Sequence, residues 1–194
     1  MNSKLQHSMF IQFLKHPFST GAVCASSSAL CGKMIGCPCF REAKTIAELG
    51  AGTGAVTACI LSSLPQGVDF FTVELNPEVI PLLEKRFPGL AIYNESAEHL
   101  RRILDERNIK SLDMVISSLP WAIFPDQLQR DILSGVCHAL RPGGSFLTFA
   151  YLQGVCLPAG RRFRNLLQSS FSRVENSSVV WRNLPPAFIY RCTL

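Results

Sequence analysis

The chain has 194 residues, 47% of them apolar, and a formal charge of +5, which describes one globular domain with a real core and excludes a disordered chain. No uninterrupted apolar run reaches membrane-span length, and the first residues lack the charged start, apolar core and cleavage site of a secretory signal in the right order. The modest positive charge favours anionic partners without naming one.

In chain order, "MFIQFLKHPF" comes first and sets Phe10, Ile11, Phe13 and Leu14 beside Lys15 and His16. As a helix it puts residues 10, 13 and 14 on one face, suited to a membrane surface or to covering a pocket. Residues 1–40 are read as an N-terminal helical cap on a single domain spanning 1–194. Four of the eight cysteines, Cys24, Cys31, Cys37 and Cys39, fall here. "CPC" sets its sulfurs too close for a zinc knuckle, no CxxC occurs, and no metal site is expected. Cys59, Cys137 and Cys192 lie in apolar periodic segments and read as small hydrophobes, so reduced thiols in a cytoplasmic protein are expected.

An apolar strand ends in "ELGAGTG" (48–54), and "AVTACILSSL" follows as a helix. Then come a strand at 68–75, a helix at 77–87, a strand at 90–94, a helix at 97–107, a strand at 112–119 and a helix at 126–140. "RPGG" (141–144) reads as a turn before a strand at 145–152, with a helix near 161–171. Last, "SSVVW" and "AFIYRC" flank "RNLPP" as an antiparallel pair. Strands apolar on both faces, alternating with helices, predict an α/β fold: a Rossmann-like, doubly wound, seven-stranded sheet, mostly parallel with an antiparallel C-terminal hairpin.

Such a sheet binds ligands where its strands end and strand order reverses. Gly50, Gly52 and Gly54 bare the backbone there beside a helix N-terminus. A dinucleotide loop wants its third glycine one step later, and a pyrophosphate would be repelled by Glu48. That carboxylate suits an ammonium instead. Glu74, ending the next strand, is placed to accept both hydroxyls of a ribose. An ammonium at one end and a nucleoside at the other describe S-adenosyl-L-methionine.

With these residues the chain resembles the class I S-adenosylmethionine-dependent methyltransferases. "GAVCASSSALCGKM" (21–34), "VELNPEV", "VISSLPW", "LRPGGSFLTFAY" and "RNLPPAFIYR" make it similar to the bacterial phosphatidylethanolamine N-methyltransferases and their relatives, from about residue 17 to the end. The resemblance implies methyl transfer from S-adenosyl-L-methionine to a lipid head-group amine. It implies cofactor contacts from Glu48, Gly50, Ala51, Gly52, Thr53 and Gly54 at the loop and Glu74 at the ribose, with Leu75 and Asn76 following it. Ser96 and Ala97 fall at the adenine, and Ser117 closes the set. The chain departs at Ser96, where many relatives carry aspartate, and at Trp121, where an aliphatic residue is common.

Methyl transfer needs alignment of donor and acceptor and exclusion of water, with no enzyme nucleophile. The candidates for positioning the acceptor are Ser117, Ser118, Leu119, Pro120, Trp121 and Tyr151. Trp121 reads either as a cation–π partner of a methylated ammonium or as core. Arg161, Arg162 and Arg164 form a basic cluster suited to lipid phosphates at an anionic membrane, and equally to a solvated helix face. Three other readings are open: a small-molecule methyltransferase, an RNA adenine N6-dimethyltransferase, and a non-catalytic binding module. The second is disfavoured because "SLPW" lacks the asparagine that holds a base amino group and no basic C-terminal domain follows, which argues against nucleic acid. The intact glycine loop and Glu74 argue against the third.

Overall fold

The computed structural model describes residues 28–194. The stretch holding Phe10, Ile11, Phe13 and Leu14 lies outside the described residues, as does most of the expected cap. Two short helices of that cap are described, α1 (Ser28–Ile35) and α2 (Pro38–Glu42). Then follow β1 (Thr45–Leu49), α3 (Ala55–Ser63), β2 (Asp69–Val73), α4 (Ile80–Arg86), β3 (Ala91–Tyr93), α5 (Leu100–Glu106), β4 (Leu112–Ser117) and α6 (Asp126–Ala139). The chain ends with β5 (Leu140–Tyr151), α7 (Leu152–Val155), α8 (Pro158–Ser170), β6 (Arg173–Asn176) and β7 (Ala187–Thr193).

The seven strands form one sheet in the order β3-β2-β1-β4-β5-β7-β6. The first five run parallel, and β7 inserts antiparallel between β5 and β6. Strand order reverses between β1 and β4, as expected of a doubly wound sheet. The register levels the strand ends: Leu49 pairs with Val73 and Ser117, and Val73 with Tyr93. Loops leaving these strands therefore meet on one edge.

Side chains alternate across the sheet, and both faces are covered. Ala47, Leu49 and Val115 face α5, α6 and α8 through Leu100, Leu133 and Phe163. Ile46, Met114 and Ile116 face α1, α2 and α3 through Leu30, Met34, Phe40 and Ile60. This is why the strands read as continuous apolar runs.

Three expectations are corrected. "RPGG" is no free turn: β5 begins at Leu140, opposite Leu112, and 141–144 form an irregularity before Ser145 pairs with Met114. Gly143, at φ 73°, absorbs the kink. "SSVVW" is not the hairpin strand. That strand is β6, a polar edge strand whose weak apolar pattern hid it, and Val180 makes only an isolated bridge to Ala187. Cys37 and Cys39 are joined by a disulfide rather than reduced. Cys37 is extended just before Pro38, which sets the two Cα atoms 5.3 Å apart, within bridging range.

Candidate active site

The loop after β1 is built from backbone constraints. Gly50, Gly52 and Gly54 all take left-handed dihedrals, φ 80°, 52° and 81°, a region costly for other residues. Their surroundings differ. A Cβ on Gly50 would come within 2.8 Å of Leu119 Cδ2, and one on Gly54 within 2.5 Å of Phe87 Cε2. A Cβ on Gly52 would meet nothing within 4 Å. Gly50 and Gly54 are therefore packing glycines, and Gly52 is the one that faces open space.

The three glycine amides of this loop are already engaged. Gly50 N–H donates to Val73 O, Gly54 N–H to Ala51 O, and Gly52 N–H to Glu74 Oε2 at 2.8 Å. The bare backbone thus offers close approach more than free donors. Glu74 is buried, and its second oxygen accepts from Asn76 N–H at 2.8 Å. A carboxylate has four lone-pair sites, so capacity remains for two hydroxyls. Asn76 accepts from Glu78 N–H and caps the 3-10 turn Pro77–Val79; Leu75 between them is half-buried. Ser96 and Ala97, after β3, sit on the same edge, with the Ser96 hydroxyl donating to Glu98 Oε2.

Glu48 lies beneath the loop and not on the cavity wall. It is fully buried on the α3 face, where Oε2 accepts from Thr57 Oγ1 at 2.7 Å. Its Oε1 has no hydrogen-bond partner among the described residues. Burial pushes its carboxyl up to about 7, against which the Thr57 and Thr72 hydroxyls act. A buried carboxyl with one oxygen left unpaired, under an open glycine, is what an ammonium would complete.

A cavity of about 200 Å³ runs from this loop across the end of β4 to β5 and α8. Gly50, Ala51, Gly52 and Thr53 form one end; Ser118, Leu119, Pro120, Trp121 and Tyr151 line it as expected. Ser117, Glu48, Glu74, Leu75, Asn76, Ser96 and Ala97 do not line it. Ser117 is buried behind, where its Oγ accepts from Trp121 Nε1 at 3.1 Å and from Leu119 N–H at 3.3 Å. It holds the turn from Leu119 to Trp121 in place.

Trp121 is packed in the core and also reaches the cavity. It lines the cavity, yet it is buried and stacked on Phe163, ring centroids 4.3 Å apart and 11° between planes. Gln129, on α6, donates to the carbonyls of Trp121 (2.6 Å) and Ala159 (3.1 Å), tying the Trp121 turn to α8. Three aromatic wall residues escaped the sequence: Phe149, Phe163 and Tyr190. Only the pairing of β5 with β7 and the docking of α8 bring them here, and no local motif marks them. Burial also raises the Tyr190 phenol, so it stays protonated at neutral pH. Among the described residues the wall carries no Asp, Glu, His, Lys or Arg.

A family model described as a methyltransferase domain matches residues 46–144. An ornithine lipid N-methyltransferase from Singulisphaera acidiphila is 31% identical over 184 residues, 93% of this chain and 92% of that protein. Among solved structures, TrmN from Thermus thermophilus superposes with a TM-score of 0.63 at 15% identity, over 85% of this chain and 48% of its own. This chain thus spans about half the Thermus protein. The S-adenosylmethionine-bound amino pentose methyltransferase of calicheamicin biosynthesis, from Micromonospora echinaspora, gives 0.61 at 11% identity, over 92% of this chain and 96% of its own.

Proposed function

Because the chain belongs to the class I S-adenosylmethionine-dependent methyltransferases, we propose that it N-methylates the amine of a lipid head group, of the phosphatidylethanolamine or ornithine-lipid kind. The observation that carries this is a cavity wall of aromatic and aliphatic side chains without a charged group, adjoining the glycine loop. The likeness to an ornithine lipid N-methyltransferase supports it.

The cofactor supplies an activated methyl on a sulfonium, ready for in-line displacement. The chain's residues do the rest. Gly52 admits the methionine part, Glu48 offers a compensating charge from beneath, and Glu74 accepts from the ribose. Ser96 and Ala97 face the adenine. An amine acceptor must be neutral to attack. Among the described residues the wall offers no base, and desolvation can do this work: an ammonium loses favour where water is excluded. Ser118, Leu119 and Pro120 orient the amine, and the Trp121 and Tyr190 rings favour the cationic product. Tyr151 closes the same wall at the end of β5.

The test is incubation with methyl-labelled cofactor and separate pools of amine lipids, RNA and soluble small amines. Label in the lipid pool supports the reading. Label confined to small amines would replace it with a small-molecule methyltransferase, and label in RNA with a nucleic-acid one.

A further inference from the structure

The three segments around the cavity mouth have an unusual composition. They are 118–125, "SLPWAIFP", after β4; 152–160, "LQGVCLPAG", after β5; and 181–186, "WRNLPP", entering β7. Together they carry no acidic residue and one charge, Arg182. Four of the five large apolar residues most exposed among the described residues fall in them: Ile123 (47%), Leu157 (45%), Trp181 (70%) and Leu184 (73%). Ile123 also lines the cavity, so this apolar rim is continuous with it.

The last segment is a built projection. Val180 N–H donates to Ala187 O at 2.7 Å and closes its base. Inside, Asn183 is buried, its N–H donating to Val180 O and its Nδ2 to Pro185 O. That bracing turns Trp181, Arg182 and Leu184 outward. The loop sits beside the mouth because Ala187 pairs with Tyr151, a cavity residue, and Leu152 N–H donates to Pro186 O. Exposed Arg161 and Arg162, in the first turns of α8, add positive charge next to this rim.

An indole and a leucine held in water on a loop with no acidic residue, with Arg182 between them and Arg161 and Arg162 on the neighbouring helix (Arg162 also lies 3.9 Å from Asp126), match the interface of an anionic bilayer: the rings and aliphatic groups enter the head-group region and the guanidiniums meet phosphates. We propose that the 181–186 loop, with Ile123 and Leu157, docks the protein on an anionic lipid surface and sets the cavity mouth against it. This rests on the reading of a lipid acceptor and names the surface through which that acceptor would enter.

The experiment uses the full chain and vesicles of phosphatidylcholine with or without phosphatidylglycerol, neither of which offers a methylatable amine, so binding is read apart from catalysis. Of the two tryptophans, Trp121 is buried and Trp181 exposed, so fluorescence reports chiefly on the loop. The expected result is a blue shift and co-flotation with phosphatidylglycerol vesicles, reduced by salt. Trp181→Ala with Leu184→Ala should lower partitioning at least tenfold while the cofactor-induced rise in melting temperature stays intact, which shows the variant folded. Flotation equal in wild type and double variant would overturn the proposal and move any membrane contact to another surface. A blue shift that appears with protein concentration alone, with dimers lost in the variant, would overturn it in favour of self-association. Intact vesicle binding without methylation of any lipid would leave the docking surface standing and remove the lipid-acceptor reading.

Discussion

The three loop glycines are not equivalent, and alanine at two of them should separate folding from binding. Gly54→Ala places a Cβ against the Phe87 ring and strains a left-handed backbone, so destabilisation of about 2 kcal/mol or more is expected. Gly52→Ala carries only the conformational cost, about 1–2 kcal/mol, because its side is open. Its methyl enters the ligand's space, so it should fold and lose the cofactor-induced thermal shift. Melting curves with and without S-adenosylmethionine check both. Glu48 gives a pH signature. Its folded value, about 7, lies above the ordinary 4.5, so the folded state holds an extra proton between them. The group's stabilising contribution is full below 4.5 and lost as pH climbs through 7, on the order of 3 kcal/mol in all. Glu48→Gln should remove that slope, raising stability above pH 7 relative to wild type, while weakening cofactor binding through the lost charge. Denaturant titrations from pH 5 to 8 would read it; equal slopes in both proteins would reject the assignment.

Between elements, the contact that matters most for the acceptor side is the tie from α6 to the Trp121 turn and α8. Gln129 is fully buried and satisfies two carbonyls from segments that share no strand. Gln129→Leu keeps volume but removes the side-chain donor from both carbonyls, each such hydrogen bond being worth about 0.5–1.5 kcal/mol, and leaves Trp121 O with the Phe124 N–H at 3.3 Å. The expected outcome is lower stability and slower methyl transfer with unchanged cofactor affinity, since the glycine loop lies on other elements. Trp121→Leu should act on the same side: it loses the stack on Phe163 and the bond to Ser117. A loss of about 0.5–2 kcal/mol from one cation–π contact slows the chemical step about two- to thirtyfold. Steady-state kinetics beside separate cofactor titration test both; a fall in cofactor affinity equal to the fall in rate would place the defect in the loop.

For the whole molecule, two covered faces leave one edge of the sheet for function. The glycine loop, Glu74 and the turn at Ser118–Trp121 all leave strands at that edge, because the register levels their ends. A ligand bound only by the folded state adds about 2.7 kcal/mol at a hundredfold excess over its Kd. S-adenosylmethionine and its demethylated product should therefore both raise the melting temperature of the described domain, and NAD should not. Among the described residues no helix is long and apolar enough to cross a membrane. The apolar rim is the part of the described surface most suited to the lipid contact proposed above.

The alternation of apolar strands with helices determined the doubly wound sheet without help from the coordinates, because a strand buried on both faces leaves a continuous apolar run. The turn at "ELGAGTG" was legible for a similar reason: left-handed dihedrals need glycine, and that demand is local. Local pattern misplaced the polar strand β6, since an edge strand with one partner need not alternate apolar residues. It could not show that Gly52 alone of the three glycines faces open space, that Glu48 works from beneath the loop, or that Ser117 stands behind Trp121. Nor could it find Phe149, Phe163 and Tyr190. These depend on β7 entering between β5 and β6 and on α8 folding back over the Trp121 turn, and such long-range packing leaves no periodic trace in the chain.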